Sequence, residues 1–284
     1  MIKELVREPA ASGMFYPANP KALSHDIGLY LDQASPEEVK GEIKGLIAPH
    51  AGYMYSGAVA AWGYKVLLKR TYDTVIIIAP SHRSHFEGAA LQEQGGYRMP
   101  LGIVKIDEEF ASELLKKKGV VQSNFHAHLG EHSLEVQLPF LQIVLKQFQI
   151  VPLIMGAQDA GLCEALASAL FQVMQGSRKQ CLVIGSTDLS HYYPYSHALE
   201  LDGQVARNLN NFDVGGLARD LAADKCEACG AGPIITTMIV SQKLGANASK
   251  VLKYANSGDV SGDKASVVGY VSAVFYRMGN GHGD

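Results

Sequence analysis

The chain has 284 residues, 47% apolar and 19% charged, with 25 basic and 28 acidic side chains giving a formal net charge of −3. This is the balance of an ordinary globular protein and excludes disorder and fibrous repeats. Lys and Arg are spread along the chain, so there is no basic stripe to follow a phosphate backbone, and nucleic acid is not an expected partner.

The N-terminal stretch MIKELVREPAASGMFYPANP carries Glu4 and Glu8 and lacks an apolar core of signal-peptide length, so a cytoplasmic location is expected. No run approaches the roughly 20 apolar residues of a membrane helix, and no membrane partner is expected. Four cysteines are too few for a disulfide framework in a chain of this length and are read as thiols or metal ligands. Short runs rich in branched residues at 45–48, 74–79, 150–155, 181–185, 251–255 and 267–275 predict buried strands. Between them, stretches near 56–69, 107–118, 133–146, 159–175, 196–210 and 233–243 predict helices. In the fourth, Leu162, Leu166, Leu170 and Val173 recur every three to four residues. The alternation predicts an α/β fold, a single domain over residues 1–284 in which helices flank a central mixed sheet. No repeat or linker marks a second domain. The tail GNGHGD is expected to be mobile and its His282 exposed.

Several predicted strands run out into loops bearing metal-capable side chains. GLIAPHAGY leads to His50, TVIIIAPSHRSH to His82 and His85, and CLVIGSTDLSH to Asp188 and His191. In open α/β sheets the ligand crevice lies beyond the carboxyl ends of the strands, so these side chains converge on one pocket if the strands are neighbours. A lone loop histidine is more often a surface or hydrogen-bonding residue; three at equivalent places point to a metal site, expected to hold a redox-type ion. Pro49 and Pro80 fit turns that leave a strand abruptly, though proline that merely ends a strand fits as well.

The segment EHSLEVQLP (131–139) is expected to start an amphipathic helix. Glu131 and Glu135 there either complement the helix dipole while Leu134 and Leu138 pack inward, or Glu131 or His132 orients a ligand histidine through its far nitrogen. Cys226 and Cys229 form a C-x-x-C pair late in the chain, without the early βαβ context of a redox dithiol or the second pair of a closed zinc site. Cys229 is the expected third ligand, because it adjoins the GAGP turn and a helix start, where the dipole favours a thiolate. No role is assigned to Cys226.

The motifs APHAGYMYSG (48–57), APSHR (79–83), EHSLEVQLPF (131–140), STDLSHY (186–192) and ACGAGPI (228–234), with GMFYP near the start and VSGDKASVVGYVSAVFY near the end, resemble the MEMO protein family across most of the chain. The resemblance implies a fold similar to the class III extradiol dioxygenases, whose non-haem iron site opens at one edge of the sheet. It places metal ligands on His50, His82 and Cys229, with Asp188 and His191 lining the pocket and His191 as the acid/base group. Phe15 and Tyr55 would form the pocket wall. A thiolate here stands where oxygen-activating iron enzymes usually carry a carboxylate, which puts ring cleavage in doubt and shifts preference toward iron, copper or zinc. The resemblance also implies two activities, metal-dependent redox chemistry and phosphopeptide binding, and a radical-enzyme partner protein.

Three readings follow from the residues and the resemblance together. The first is a dioxygenase-like, metal-dependent oxidoreductase that uses Fe2+ on an unidentified small molecule, with His191 moving a proton and Asp188 orienting it. The second is a zinc-type hydrolase with His191 or Glu131 as base. The third is a binding module for a phosphorylated peptide or for iron and copper handling; the shortage of arginine, with only Arg83 adjoining a proposed ligand, stands against phosphate capture but not against metal handling.

Overall fold

The computed structural model describes residues 5–279, so the expectation for His282 lies outside the described residues. The chain opens with a short strand, Val6–Arg7 (β1), and a helix, Pro20–Gln33 (α1). The Asn19 side-chain oxygen accepts from the Lys21 and Ala22 amides at 2.9 and 3.1 Å, and Pro20 takes a first-turn position where no amide donor is needed. Leu23, Ile27 and Leu31 bury one face of α1.

Next come Glu42–Ala48 (β2), Tyr53–Lys65 (α2) and Thr74–Pro80 (β3), then the short strands Ala89–Leu91 (β4), Gly96–Met99 (β5) and Gly102–Lys105 (β6). Glu108–Leu115 (α3), Val121–Ser123 (β7), His126–Leu129 (α4), Leu138–Val144 (α5), Gln149–Met155 (β8), Ala160–Gly176 (α6) and Cys181–Ser186 (β9) follow. The last third holds His191–Tyr193 (β10), Tyr195–Asn210 (α7), Val214–Ala222 (α8), Ala231–Lys243 (α9), Ala248–Asn256 (β11), Ser257–Ser261 (α10) and Val267–Arg277 (β12).

The main sheet runs β10-β12-β2-β9-β3-β8-β4-β7, with β11 added on β12. Its centre, β2-β9-β3-β8, is parallel, while β12 pairs antiparallel with β2, β10 and β11. Every residue of β3 is buried, as expected for a parallel strand covered on both faces. Gly45 and Leu46 are consecutive on β2 and so face opposite sides. A methyl group on Gly45 would lie 2.3 Å from Ser241 Oγ of α9, whereas one on Gly63 of α2 would lie 3.1 Å from the Leu46 side chain. The two helices therefore flank the two faces. A separate sheet, β1-β5-β6, stands beside the main one.

The six predicted strands are present, each longer by one to four residues, but β11 is not the buried strand expected, since only its Leu252 and Asn256 are buried. Two predicted helices differ. The one expected at 56–69 begins at Tyr53 and ends at Lys65, and the chain passes Lys69 at φ 67°. The one expected at 133–146 is a turn and a 3-10 turn over Glu135–Gln137 before α5 starts at Leu138, so Glu131 and His132 lie in a loop ahead of any helix. Among the described residues no helix is long and apolar enough to cross a membrane.

That loop is fixed from below by a buried ion pair. Arg7 and Glu135, both without solvent exposure, bond to each other; Arg7 also donates to the His128 carbonyl at 2.8 Å and the Glu131 carbonyl at 2.5 Å. Glu135 accepts the Ala10 and Ala11 amides at 2.7 and 2.9 Å and the Tyr16 hydroxyl. His128 stands in the same network, with Nε2 donating to the Ala90 carbonyl at 3.2 Å, so that Nδ1 accepts from Tyr97 Oη at 2.6 Å. Burial, with Arg7 nearby, lowers its pKa to about 3 against the Ala90 bond, which acts the other way.

Replacing Arg7 with Met should leave the Glu135 charge buried without its partner and cost about 3–5 kcal/mol of stability in urea unfolding. His128 takes up a proton on unfolding but not while folded, so stability should fall as pH drops from about 6.5 toward 3, by up to about 1.4 kcal/mol per pH unit. His128→Gln should flatten that slope in unfolding curves measured between pH 7 and 4.5, and an unchanged slope would show that the proton goes elsewhere.

Candidate metal centre

Because β2, β9 and β3 are adjacent and parallel, their carboxyl ends leave the sheet at one edge. Strands stand about 4.8 Å apart, so the loops after β2 and β3, with β9 between them, start roughly 10 Å apart and side chains bridge the gap. His50 follows β2, His82 follows β3, and Asp188 follows β9. The first residues of antiparallel β12 reach the same edge, where Gly269 bonds to Leu189 and Ser190, and there β10 presents His191.

The ring centroids of His50 and His82 are 5.2 Å apart, and His132 joins them at 5.7 Å from His50 and 4.9 Å from His82. One nitrogen from each of these three rings lies within 4.8 Å of the others. Neither His85 nor the expected ligand Cys229 is in that set, although Cys229 adjoins His50. His50, 2% exposed, has Nδ1 2.9 Å from Ser186 Oγ, which leaves Nε2 facing Cys229 Sγ at 3.3 Å and Asp188 Oδ2 at 3.9 Å. His82 has Nδ1 3.0 Å from Glu131 Oε1, leaving its Nε2 free. Donors around one ion at 2.0–2.3 Å are roughly 3.3–3.8 Å apart, and the sulfur–imidazole contact already has that spacing. Imidazoles backed through Nδ1, with a thiol beside them, form a donor set suited to a borderline-soft ion.

Glu131 serves neither the helix dipole nor a helix start. Its carboxylate accepts the amides of His82 at 2.6 Å and of His132 and Ser133 at 3.0 Å each, as well as the His82 ring. Burial alone would raise its pKa, but these bonds outweigh burial and hold it at about 2. His50 is held well below the usual histidine range by burial, with His82 and His132 adding repulsion; burial lowers His132 too, against the pull of Glu131. The environment therefore favours the neutral, lone-pair-bearing form of the His50 and His132 rings.

Cys229 comes in on the turn before α9. A side chain on Gly230 would lie 2.3 Å from the Ser186 carbonyl and 2.7 Å from Thr187, so glycine is what lets this turn close on the end of β9. The Asp188 amide donates to Sγ at 3.2 Å and the Cys229 amide to the Asp188 carbonyl at the same distance. The expectation that a helix start favours a thiolate is reversed: burial, reinforced by the Asp188 carboxylate, pushes the thiol well up despite the amide donors. Cys226 is buried, its thiol raised to about 11 by burial and the carboxylates of Asp220 and Asp202.

Asp188 accepts the His50 amide at 2.8 Å through Oδ1; burial raises it to about 6 against that bond. His191 is close enough for its charge to act on both His50 and Asp188. Glu227, overlooked in the sequence although it lies inside the C-x-x-C pair, holds His191: it accepts the His191 amide at 3.2 Å and the Tyr193 hydroxyl at 3.1 Å, with the ring Nδ1 at 3.8 Å. Phe15 packs on His132 with ring centroids 4.7 Å apart, and its carbonyl takes the Tyr53 amide at 2.7 Å. Tyr55, partly exposed, lies near Tyr270 on the Asp188 side.

A family model described as Memo-like protein matches residues 7–274. The chain belongs to this family. Its relatives include MEMO1 family proteins of Methanopyrus kandleri, 40% identical over 283 residues, of Ignicoccus hospitalis, 39% over 282, and of Sulfolobus acidocaldarius, 38% over 283. Each match spans 95% of this chain and 99% of the relative. The Memo-like match takes in every motif of the pocket, from Phe15 to Cys229.

Glu131→Ala should leave three backbone amides of the pocket without an acceptor. At about 1–3 kcal/mol for each unsatisfied buried group, a loss of at least about 3 kcal/mol is expected in urea unfolding, with Glu131→Gln milder because its amide oxygen still accepts. Equal stability of Glu131→Ala and the parent would show that water replaces the carboxylate.

Proposed function

We propose that this Memo-like protein is a metal-dependent oxidoreductase acting on a small molecule. In this reading His50, His82 and Cys229 hold Fe2+ in preference to copper or zinc, and His132 turns a further nitrogen to the same space. The observation that carries it is the 3.3 Å contact between Cys229 Sγ and His50 Nε2, together with one nitrogen each from His50, His82 and His132 within 4.8 Å of one another. A bound ion of this kind supplies Lewis acidity and one-electron chemistry.

The chain's own residues supply the rest. Asp188 Oδ1 fixes the His50 backbone while Oδ2 faces the Nε2 side. His191, tethered by Glu227, holds or moves a proton at its ring. Phe15 covers one side of His132 and limits the access of water there. Nitrogen and sulfur donors favour iron, copper or zinc over magnesium or calcium.

The test is metal analysis of protein purified without oxygen and then offered Fe2+, Cu2+ and Zn2+. A single tightly held ion is expected, with His50→Ala and Cys229→Ser each weakening it by more than the roughly 10–100-fold typical of losing a residue behind a ligand. His191→Ala should keep the ion but lose oxygen consumption across a panel of catechols, other aromatics and small electrophiles. Stoichiometric zinc with no gain of turnover on Fe2+ would replace oxidoreduction with hydrolysis, and an ion retained by His50→Ala would overturn the ligand assignment.

A further inference from the structure

Behind His50 lies a chain of buried polar groups that the ligand assignment does not use. Tyr64 and Ser186 have no exposure and Gln137 only 1%. Tyr64 Oη donates to Gln137 Oε1 at 2.6 Å; Gln137 Nε2 donates to the Pro49 carbonyl at 3.0 Å and to Ser186 Oγ at 2.7 Å. Ser186 Oγ in turn donates to the Ser133 carbonyl at 2.7 Å.

Two carbonyls settle every role in this chain, because a carbonyl only accepts. Pro49 O demands the amide NH2 of Gln137, so the side chain cannot be flipped, and Oε1 is left to accept from Tyr64. Ser133 O takes the single hydroxyl proton of Ser186. Ser186 Oγ then has only lone pairs left, one for Gln137 and one for His50 Nδ1 at 2.9 Å. His50 Nδ1 must therefore carry the proton, and Nε2 presents its lone pair to the pocket.

We propose that Gln137 and Ser186 are positioning residues that clamp His50 at two points. Gln137 holds the peptide just before the histidine through Pro49 O and, through Ser186, the far nitrogen of the ring. Tyr64, its ring stacked on Phe140 at 4.9 Å and 11°, anchors the clamp to α2. The clamp fixes tautomer and ring direction before anything binds. It rests on the metal reading only for its effect on affinity, since the tautomer belongs to the chain itself.

Two variants test it. Gln137→Glu keeps the shape and the Tyr64 bond but sets a carboxylate oxygen against Pro49 O, while Ser186→Ala removes the acceptor of the His50 proton. Nitrogen chemical shifts of the metal-free protein read the tautomer: the parent should show a protonated, pyrrole-type Nδ1 and a pyridine-type Nε2 at His50, and Ser186→Ala should lose that pattern. Co2+ titration followed by its visible spectrum should show affinity lowered roughly 10–100-fold in both variants. If Gln137→Glu does not fold, Ser186→Ala, which removes one oxygen, carries both readouts. An unchanged tautomer together with parental Co2+ affinity would overturn the clamp. Should the parent take up no Co2+, the metal reading falls, while the nitrogen shifts still uphold or overturn the clamp.

Discussion

The pocket exists because β9 lies between β2 and β3 and runs the same way. Each strand alone ends in an unremarkable loop. In this order, and in parallel, they deliver His50, Asp188 and His82 to one edge, where the rings of the two histidines end 5.2 Å apart. A reversal of any one strand would send its loop to the far edge of the sheet. Neighbouring ladders hold that order along their length, with Gly45–Ala48 paired to Val183–Ser186 and Thr74–Ile78 to Cys181–Gly185.

His132 comes to the same place by a different route. No strand delivers it; its loop is suspended from Arg7 below and Glu131 above, two charged groups whose bonds are mostly to backbone. Burying charges is costly unless their hydrogen-bonding capacity is filled, and here it is filled by the loop itself. Between Glu131 and α5 the chain closes single turns, with the Val136 amide donating to the His132 carbonyl at 3.0 Å and the Gln137 amide to the Leu134 carbonyl at 3.1 Å. The positions of His82 and His132 are thus tied to each other, since Glu131 accepts from both of their amides.

This explains what could be read in the sequence and what could not. The strands were legible because buried parallel strands are apolar throughout, and His50, His82, Asp188 and His191 were legible because they follow those strands. The start of α1 was equally plain in Asn19, Pro20 and the spacing of Leu23, Ile27 and Leu31, though it was not predicted. The segment 133–146 misled because Leu134, Leu138 and Leu141 have helical spacing and are indeed buried, while the α-helix itself starts only at Leu138, after a turn and a 3-10 turn. Arg7 gave no signal, since an isolated arginine near a terminus reads as a surface residue. The contact between Cys229 and His50 joins residues 179 apart. The helix-start argument chose Cys229 for a reason that burial reverses, because the dipole's help to a thiolate is smaller than the loss of water around it.

The pocket's burial is uneven, and the unevenness sets the direction of approach. His50 and Asp188, at 2% and 6% side-chain exposure, form a closed back wall with the polar chain behind them. His82, His132 and His191 keep 33%, 22% and 27% of their side chains exposed and form the open front. Rigidity lies at the back, where every polar atom of Gln137 and Ser186 is engaged, and the front is made of three imidazoles and Phe15. An incoming molecule meets imidazole edges and an aromatic face, with Glu227 beside His191 and the exposed Arg83 near His132, while Glu131 is 1% exposed and spent on backbone amides. The nearest arginine, Arg83, lies along Gly130, its side chain 3.1 Å from where a methyl on that glycine would stand. That single guanidinium falls short of the cluster that the dianion of a phosphorylated peptide would call for.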